Sequence, residues 1–124
     1  MIRVLGIGCR GEVSEAALRE AAGKALASAP GPLDRLATLE ERAGTDTVLA
    51  FAAHEGLPLF GLEAVALRGC PTRTRSARIE ARFGTGSVAE AVALVAAGPG
   101  ARLCCERQIS TDGMATAAIA EGDG

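Results

Sequence analysis

Apolar residues fall into short runs divided by glycine- and proline-marked breaks, and the spacing inside each run gives its element. Ile2 to Ile7 is a strand-like run ending among Gly6, Gly8 and Gly11, which predicts a first strand followed by a glycine loop. Ser14 suits an N-cap, Val13 and Leu18 are spaced for a hydrophobic staple, and Glu15 favours the positive end of a helix. That helix runs to about Ser28, where Ala29-Pro30-Gly31-Pro32 stops it. Leu36 to Leu39 reads as a second strand. A second helix starts at Thr45 or Asp46, presents Val48, Leu49, Phe51 and Ala52, and ends at Gly56 and Pro58.

Leu57 to Phe60 reads as a third strand, Leu62 to Arg68 as a short helix and the polar stretch Gly69 to Ser76 as a surface loop. Ile79, Ala81 and Phe83 alternate with charged residues, as in a half-buried strand. After Gly84-Thr85-Gly86, Ser87 and Glu90 form a complete capping box for a helix ending near Gly98. Arg102 to Ile109 and Met114 to Ile119 are two closing strands around a Ser110-Thr111-Asp112-Gly113 turn, whose Asp-Gly is a hairpin signal. The alternation predicts an α/β fold: a single compact domain over residues 1–124, mostly parallel sheet flanked by helices, with a C-terminal hairpin. Strand order does not follow from the pattern.

Composition narrows the function classes. The 124 residues, 48% of them hydrophobic and 23% charged, suffice for one core without disulfide or metal staples. There is no Trp, no Tyr and only Phe51, Phe60 and Phe83, so the stacking platforms of single-strand nucleic-acid binders are missing. A net charge of −2 lacks the basic excess that neutralises phosphates, so no nucleic-acid partner is expected. No secretory signal or spanning segment is readable, and the expectation is a soluble cytoplasmic protein with no membrane partner and four reduced cysteines: Cys9, Cys70, Cys104 and Cys105.

Several groups bear on chemistry. Gly6-Ile7-Gly8-Cys9-Arg10-Gly11 matches the GxGxxG of dinucleotide-binding folds. The acidic residue that would hold a ribose should follow by roughly 20 residues, and Glu40 arrives later than that. The same glycines also suit a tight turn with positive φ, or a cradle of backbone N–H groups for another anion. Gly84-Thr85-Gly86-Ser87 offers hydroxyls and free N–H groups at a helix start, without the lysine of a P-loop; a plain capped turn fits it equally. Arg68, Arg73, Arg75, Arg78 and Arg82 make a local basic stretch suited to carboxylate or phosphate, or else a solvated face. With His54 the single histidine, and Cys104 and Cys105 expected on opposite sides of a strand, no metal site and no cofactor is expected. A Cys9–His54 nucleophile couple is conceivable, against ordinary packing cysteines.

The opening LGIGCRG (Leu5 to Gly11), the central FGTGSVAEAVAL (Phe83 to Leu94) and the closing MATAAIA (Met114 to Ala120) stand in one order, and LATLEERA (Leu36 to Ala43) fits between them. Together they resemble the CobE and CbiG C-terminal domain family of cobalamin biosynthesis over nearly the whole chain. The resemblance implies porphyrin and vitamin B12 metabolism. In that family a fused CbiG form opens a lactone on a cobalt-precorrin and releases a two-carbon fragment, whereas a stand-alone CobE form belongs to the aerobic pathway. This chain is similar to the stand-alone form. The implied role is an accessory or carrier that binds a precorrin or hydrogenobyrinic-acid-type tetrapyrrole, with other cobalamin pathway enzymes as further partners. A lactone hydrolase and a small nucleotide-binding domain stay open as alternatives. Where relatives often carry lysine this chain has Arg42, and where they carry Pro-Lys it has Glu106-Arg107, so positive charge is kept and lysine chemistry is not. Corrin precursors carry many carboxylates, which gives a candidate site of Gly8, Cys9, Arg10 and Arg42 with Gly84, Thr85, Gly86 and Ser87 at the carboxyl ends of neighbouring strands.

Overall fold

Strand β1 (Ile2–Cys9) is the middle of the fold in the computed structural model, which describes residues 1–124. After it come α1 (Glu15–Ser28), β2 (Arg35–Leu39), α2 (Glu40–Ala43), α3 (Asp46–Glu55), β3 (Leu59–Leu62) and a 3-10 turn (Ala64–Leu67). The chain continues through α4 (Ala77–Phe83), α5 (Val88–Ala97), β4 (Arg102–Ile109) and β5 (Ala115–Gly122). The strands form one five-stranded mixed sheet in the order β3-β2-β1-β5-β4. β1, β2 and β3 are parallel neighbours, with Leu5 opposite Leu36 and Ala37 opposite Phe60. β5 runs antiparallel to both β1 and β4, with Leu5 opposite Ile119 and Leu103 opposite Ala120. Four strands therefore end at one edge of the sheet, where β5 begins.

Two helical crossovers carry β1 to β2 to β3 in one direction, and both lay their helix on the same face. There Leu18, Ala21 and Ala25 of α1 and Val48 and Phe51 of α3 cover Leu5, Ile7, Leu36 and Ile119. The chain then crosses to the other face, where Val88, Ala91, Val92 and Ala93 of α5, with Phe83 and Leu67, cover Val4, Ala37, Leu39 and Ala120. Alternation along β1 divides the faces: odd-numbered Leu5, Ile7 and Cys9 meet α1, and even-numbered Val4 lies under α5.

Gly6 and Gly8 lie inside β1, not in a loop after it, and neither has positive φ. Their reason is close approach. A Cβ on Gly6 would stand 2.2 Å from the carbonyl oxygen of Ala89 and 2.8 Å from Ala93 Cβ, so α5 sits almost directly on the β1 backbone. The dinucleotide pattern is thus produced by helix packing on a strand.

Residues 79–83 correct the expected strand, since they belong to helix α4. Over so short a run Ile79 and Phe83 satisfy a helical i, i+4 spacing as well as alternation. Ser76 decides it: its Oγ accepts from Ile79 N at 3.4 Å as an N-cap. β3 begins two residues later than the pattern suggests, and the short helix expected over Leu62 to Arg68 is a 3-10 helix over Ala64–Leu67. Cys104 and Cys105 do not point to opposite faces. The ladder to β5 shifts between Leu103 and Cys105, and the shift leaves both cysteines against the α1 core. Every cysteine is free.

Candidate functional site

At the edge where four strands end, the chain encloses a cleft of roughly 260 Å³. β1 brings Gly8 and Cys9, with Arg10 just beyond; β2 brings Thr38 and Leu39, and α2 adds Glu41 and Arg42. Across from them stand Arg78, Ile79, Arg82 and Phe83 of α4, Val88 at the start of α5 and Arg107 near the end of β4. The hairpin adds Ile109, Gly113, Met114 and Thr116. Five arginines line the space, with Glu41 the one carboxylic acid among the lining residues.

Local bonds fix this geometry. Arg42 Nε donates to the Cys9 carbonyl at 3.0 Å, which ties α2 to the end of β1. Thr38 Oγ1 donates to Ile7 O at 2.9 Å and Thr116 Oγ1 to Gly8 O at 3.3 Å, so neighbouring hydroxyls brace both sides of the strand end. Arg10 N donates to Met114 O at 3.0 Å and fixes the chain as it leaves the sheet. Arg82 lies over the Phe83 ring, 4.8 Å from its centroid, and reaches Glu41 Oε1 at 3.4 Å. Burial pushes the Cys9 thiol up from its usual range, and the positive charge of Arg42 only partly opposes this. Near neutral pH Cys9 is held as a thiol, which is the weakly nucleophilic form.

Of the sequence candidates, Gly8, Cys9, Arg10 and Arg42 line the cleft together. Gly84, Thr85, Gly86 and Ser87 do not; the helix they introduce enters the lining at Val88. Thr85 is buried and its hydroxyl donates to Cys70 O at 2.7 Å, while the Ser87 hydroxyl accepts from Glu90 N at 3.3 Å. Gly86 serves contact, since a Cβ there would fall 2.6 Å from Thr74 O. The capping box is half made: Glu90 turns its side chain away from Ser87 and takes hydrogen bonds from Arg73 N, Thr74 and Arg107 N.

The arginine stretch also divides. Arg78 and Arg82 face the cleft, Arg75 Nε pairs with Glu80 at 2.7 Å, and Arg73 donates to Leu103 O at 3.1 Å. His54 contacts Glu15 Oε2 at 2.5 Å and is absent from the lining. No three metal-ligating side chains cluster anywhere in the chain. Arg107 and Glu41 are charged lining residues outside the candidate set. The resemblance marks Arg107 only as a place where positive charge is kept, and its irregular stretch of β4 lets alternation assign it no face.

The architecture is that of an α/β domain with an arginine-lined cleft at the carboxyl ends of its parallel strands, the usual place for a ligand in such sheets. The chain belongs to the family described as Cobalamin synthesis G C-terminus, whose model matches residues 3–120. It is 36% identical over 122 residues to Protein CobE of Sinorhizobium sp, covering 94% of this chain and 78% of that one. The crystal structure of CobE, a protein from the cobalamin (vitamin B12) biosynthetic pathway, superposes with a TM-score of 0.81 at 27% identity, covering 96% of this chain and 89% of that one. Cobalamin biosynthesis protein chiG from Agrobacterium tumefaciens gives a TM-score of 0.72 at 30% identity, covering 99% of this chain and all of that one (100%). This is a cobalamin biosynthesis protein. No helix is long and apolar enough to cross a membrane.

Proposed function

We propose that the cleft binds a precorrin-type or hydrogenobyrinic-acid-type tetrapyrrole by its carboxylate side chains, and that the protein acts as an accessory or carrier for that intermediate. The observation that carries this reading is the set Arg10, Arg42, Arg78, Arg82 and Arg107 around one small space, in a chain whose net charge is −2. A planar guanidinium suits the two oxygens of a carboxylate, and several of them suit a ligand with several. The cleft volume of roughly 260 Å³ is at the low end for a small-molecule site, so a macrocycle would enter by its acidic edge, with the ring outside. The single aromatic lining residue, Phe83, sits under Arg82, which agrees with recognition by the edge and not by stacking.

Binding without turnover is the reading favoured over hydrolysis. The lining holds no histidine, and its cysteine is kept as a thiol. The test is a titration of the protein with hydrogenobyrinic acid followed by visible absorbance, where the tetrapyrrole absorbs and the polypeptide does not. A saturable, stoichiometric shift is expected. Arg10→Ala should weaken it by about 1.5 to 3 kcal/mol, the scale of a charged hydrogen bond. No shift with the folded protein, or a spectrum that changes with turnover, overturns the carrier reading.

A further inference from the structure

Pairing of β4 with β5 is irregular between Cys105 and Gln108, and Arg107 stands inside that irregular stretch. Its Nε is buried and has no hydrogen-bond partner, and no acidic side chain lies within ion-pair distance of its guanidinium. The side chain as a whole is only partly buried, so the cost falls on this one N–H, which is withdrawn from water and left unpaired. Its backbone, by contrast, is firmly held: Arg107 N donates to Glu90 Oε2 at 3.0 Å.

Glu90 is fully buried at the first turn of α5 and gathers several elements. Besides Arg107 N, it accepts from Arg73 N at 2.7 Å, Thr74 N at 3.2 Å and Thr74 Oγ1 at 2.5 Å. The loop it holds leads directly into α4, which carries Arg78 and Arg82 to the opposite wall of the cleft. One side chain therefore sets the position of guanidinium groups on two walls.

We propose that Arg107 is the seat of a ligand carboxylate in the cleft, and that Glu90 is the positioning residue that presents it. This rests on the reading that the cleft takes a polycarboxylate. On binding, the guanidinium turns out of its buried position so that the ligand carboxylate accepts from Nε and a terminal N–H of Arg107 together, and the pairing missing in the free protein is made. A lysine at this position offers a point charge on a flexible stem and cannot supply the two parallel donors.

The test compares the wild-type chain with Arg107→Met, Arg107→Lys and Glu90→Gln by hydrogenobyrinic acid titration and thermal unfolding. Arg107→Met should weaken binding about tenfold or more with an unchanged or higher unfolding midpoint, because it removes a donor that the free protein leaves unpaired. Arg107→Lys should recover little of the loss. Glu90→Gln places an amide against N–H donors and should weaken binding in the wild-type background, with a smaller further loss when added to Arg107→Met, because only the share acting through Arg78 and Arg82 then remains. Should that variant fail to fold, the methionine and lysine variants decide alone. Wild-type affinity in Arg107→Met, or weaker binding accompanied by a lower midpoint, assigns Arg107 to packing and overturns the inference while leaving the polycarboxylate reading intact. Failure of the wild-type protein itself to bind overturns that reading, and the inference with it.

Discussion

Glu41 Oε1 stands 3.4 Å from an Arg82 guanidinium nitrogen, and the pair forms a wall shared by the arginine cleft and a neighbouring groove along Leu62, Glu63 and Ala64. Both side chains are about half exposed, 56% for Arg82 and 48% for Glu41, so the pair adds little to stability. Its effect falls on charge. Glu41 occupies a guanidinium that an incoming carboxylate would use, and it repels that carboxylate. Glu41→Gln should therefore tighten hydrogenobyrinic acid binding by about threefold at low salt, the scale of an exposed charge pair. The gain should vanish near 1 M salt, where the screening length falls to about 3 Å. Titrations at the two salt concentrations check this, and equal affinities at low salt would remove Glu41 as a competitor.

Gly6 sets how closely α5 lies on β1. A methyl group there meets a backbone carbonyl at 2.2 Å, and that oxygen moves only if the whole helix moves. Gly6→Ala should destabilise the protein by about 1 to 3 kcal/mol or more through overpacking. Gly23, exposed on α1 with nothing within 4 Å of an added Cβ, makes the contrasting case. Gly23→Ala should stabilise by about 0.5 to 1 kcal/mol, because alanine restricts the unfolded chain and suits a helix. Urea unfolding of the two variants should give shifts of opposite sign.

Much of the fold was legible because caps and stops are chemically specific. Ser14 accepts from Ala17 N as an N-cap should, Gly56 ends α3 in the left-handed region, and the Asp112-Gly113 turn joins β4 to β5. The stretch 79–83 misleads because its few residues fit two periods, and only the cap at Ser76 separates them. Half of the candidate site follows from the end of β1, since a strand end beside a parallel neighbour is where α/β sheets place ligands. The other half depends on tertiary detail. Ser87 resembles anion-binding equipment in sequence, yet Glu90 N already uses its hydroxyl; Arg107 reaches the cleft only through irregular pairing in β4. Neither fact is written in local spacing.

Ser87 and Arg10 should accordingly separate stability from binding. Ser87→Ala removes the oxygen that accepts from Glu90 N and should cost about 1 kcal/mol of stability, the usual scale for a lost N-cap. Because Ser87 is buried and outside the cleft lining, the affinity of the folded protein for hydrogenobyrinic acid should stay unchanged. Arg10, exposed at the cleft, should behave in the reverse way, with affinity lost and the unfolding midpoint unmoved. A fall in affinity for Ser87→Ala, measured well below its unfolding midpoint, would bring the second glycine loop back into the site.

The hairpin tip that supplies Gly113 and Met114 to the cleft is held by two carboxylates, and this gives it a pH dependence of definite sign. Glu20 accepts from the Thr111 hydroxyl at 2.5 Å and from Thr111 N at 2.9 Å, and these bonds hold its pKa below the ordinary value. Asp112 accepts from Ser110 Oγ at 2.7 Å and from Met114 N at 2.9 Å, with the same consequence. A carboxyl whose folded pKa is depressed binds its proton more tightly in the unfolded or detached state. Its contribution is therefore present above the ordinary carboxylate range of roughly 4 to 4.5, and is lost as pH falls through the lowered folded value. Acidification below pH about 4 should loosen the tip before the core opens. Amide-exchange protection at Thr111 and Met114 should fall there while that of Leu5 and Ile119 in the sheet centre persists. Asp112→Asn and Glu20→Gln should reproduce the loss of protection at neutral pH. Equal loss at the tip and the sheet centre on acidification would show that the carboxylates act on global stability instead of on this turn.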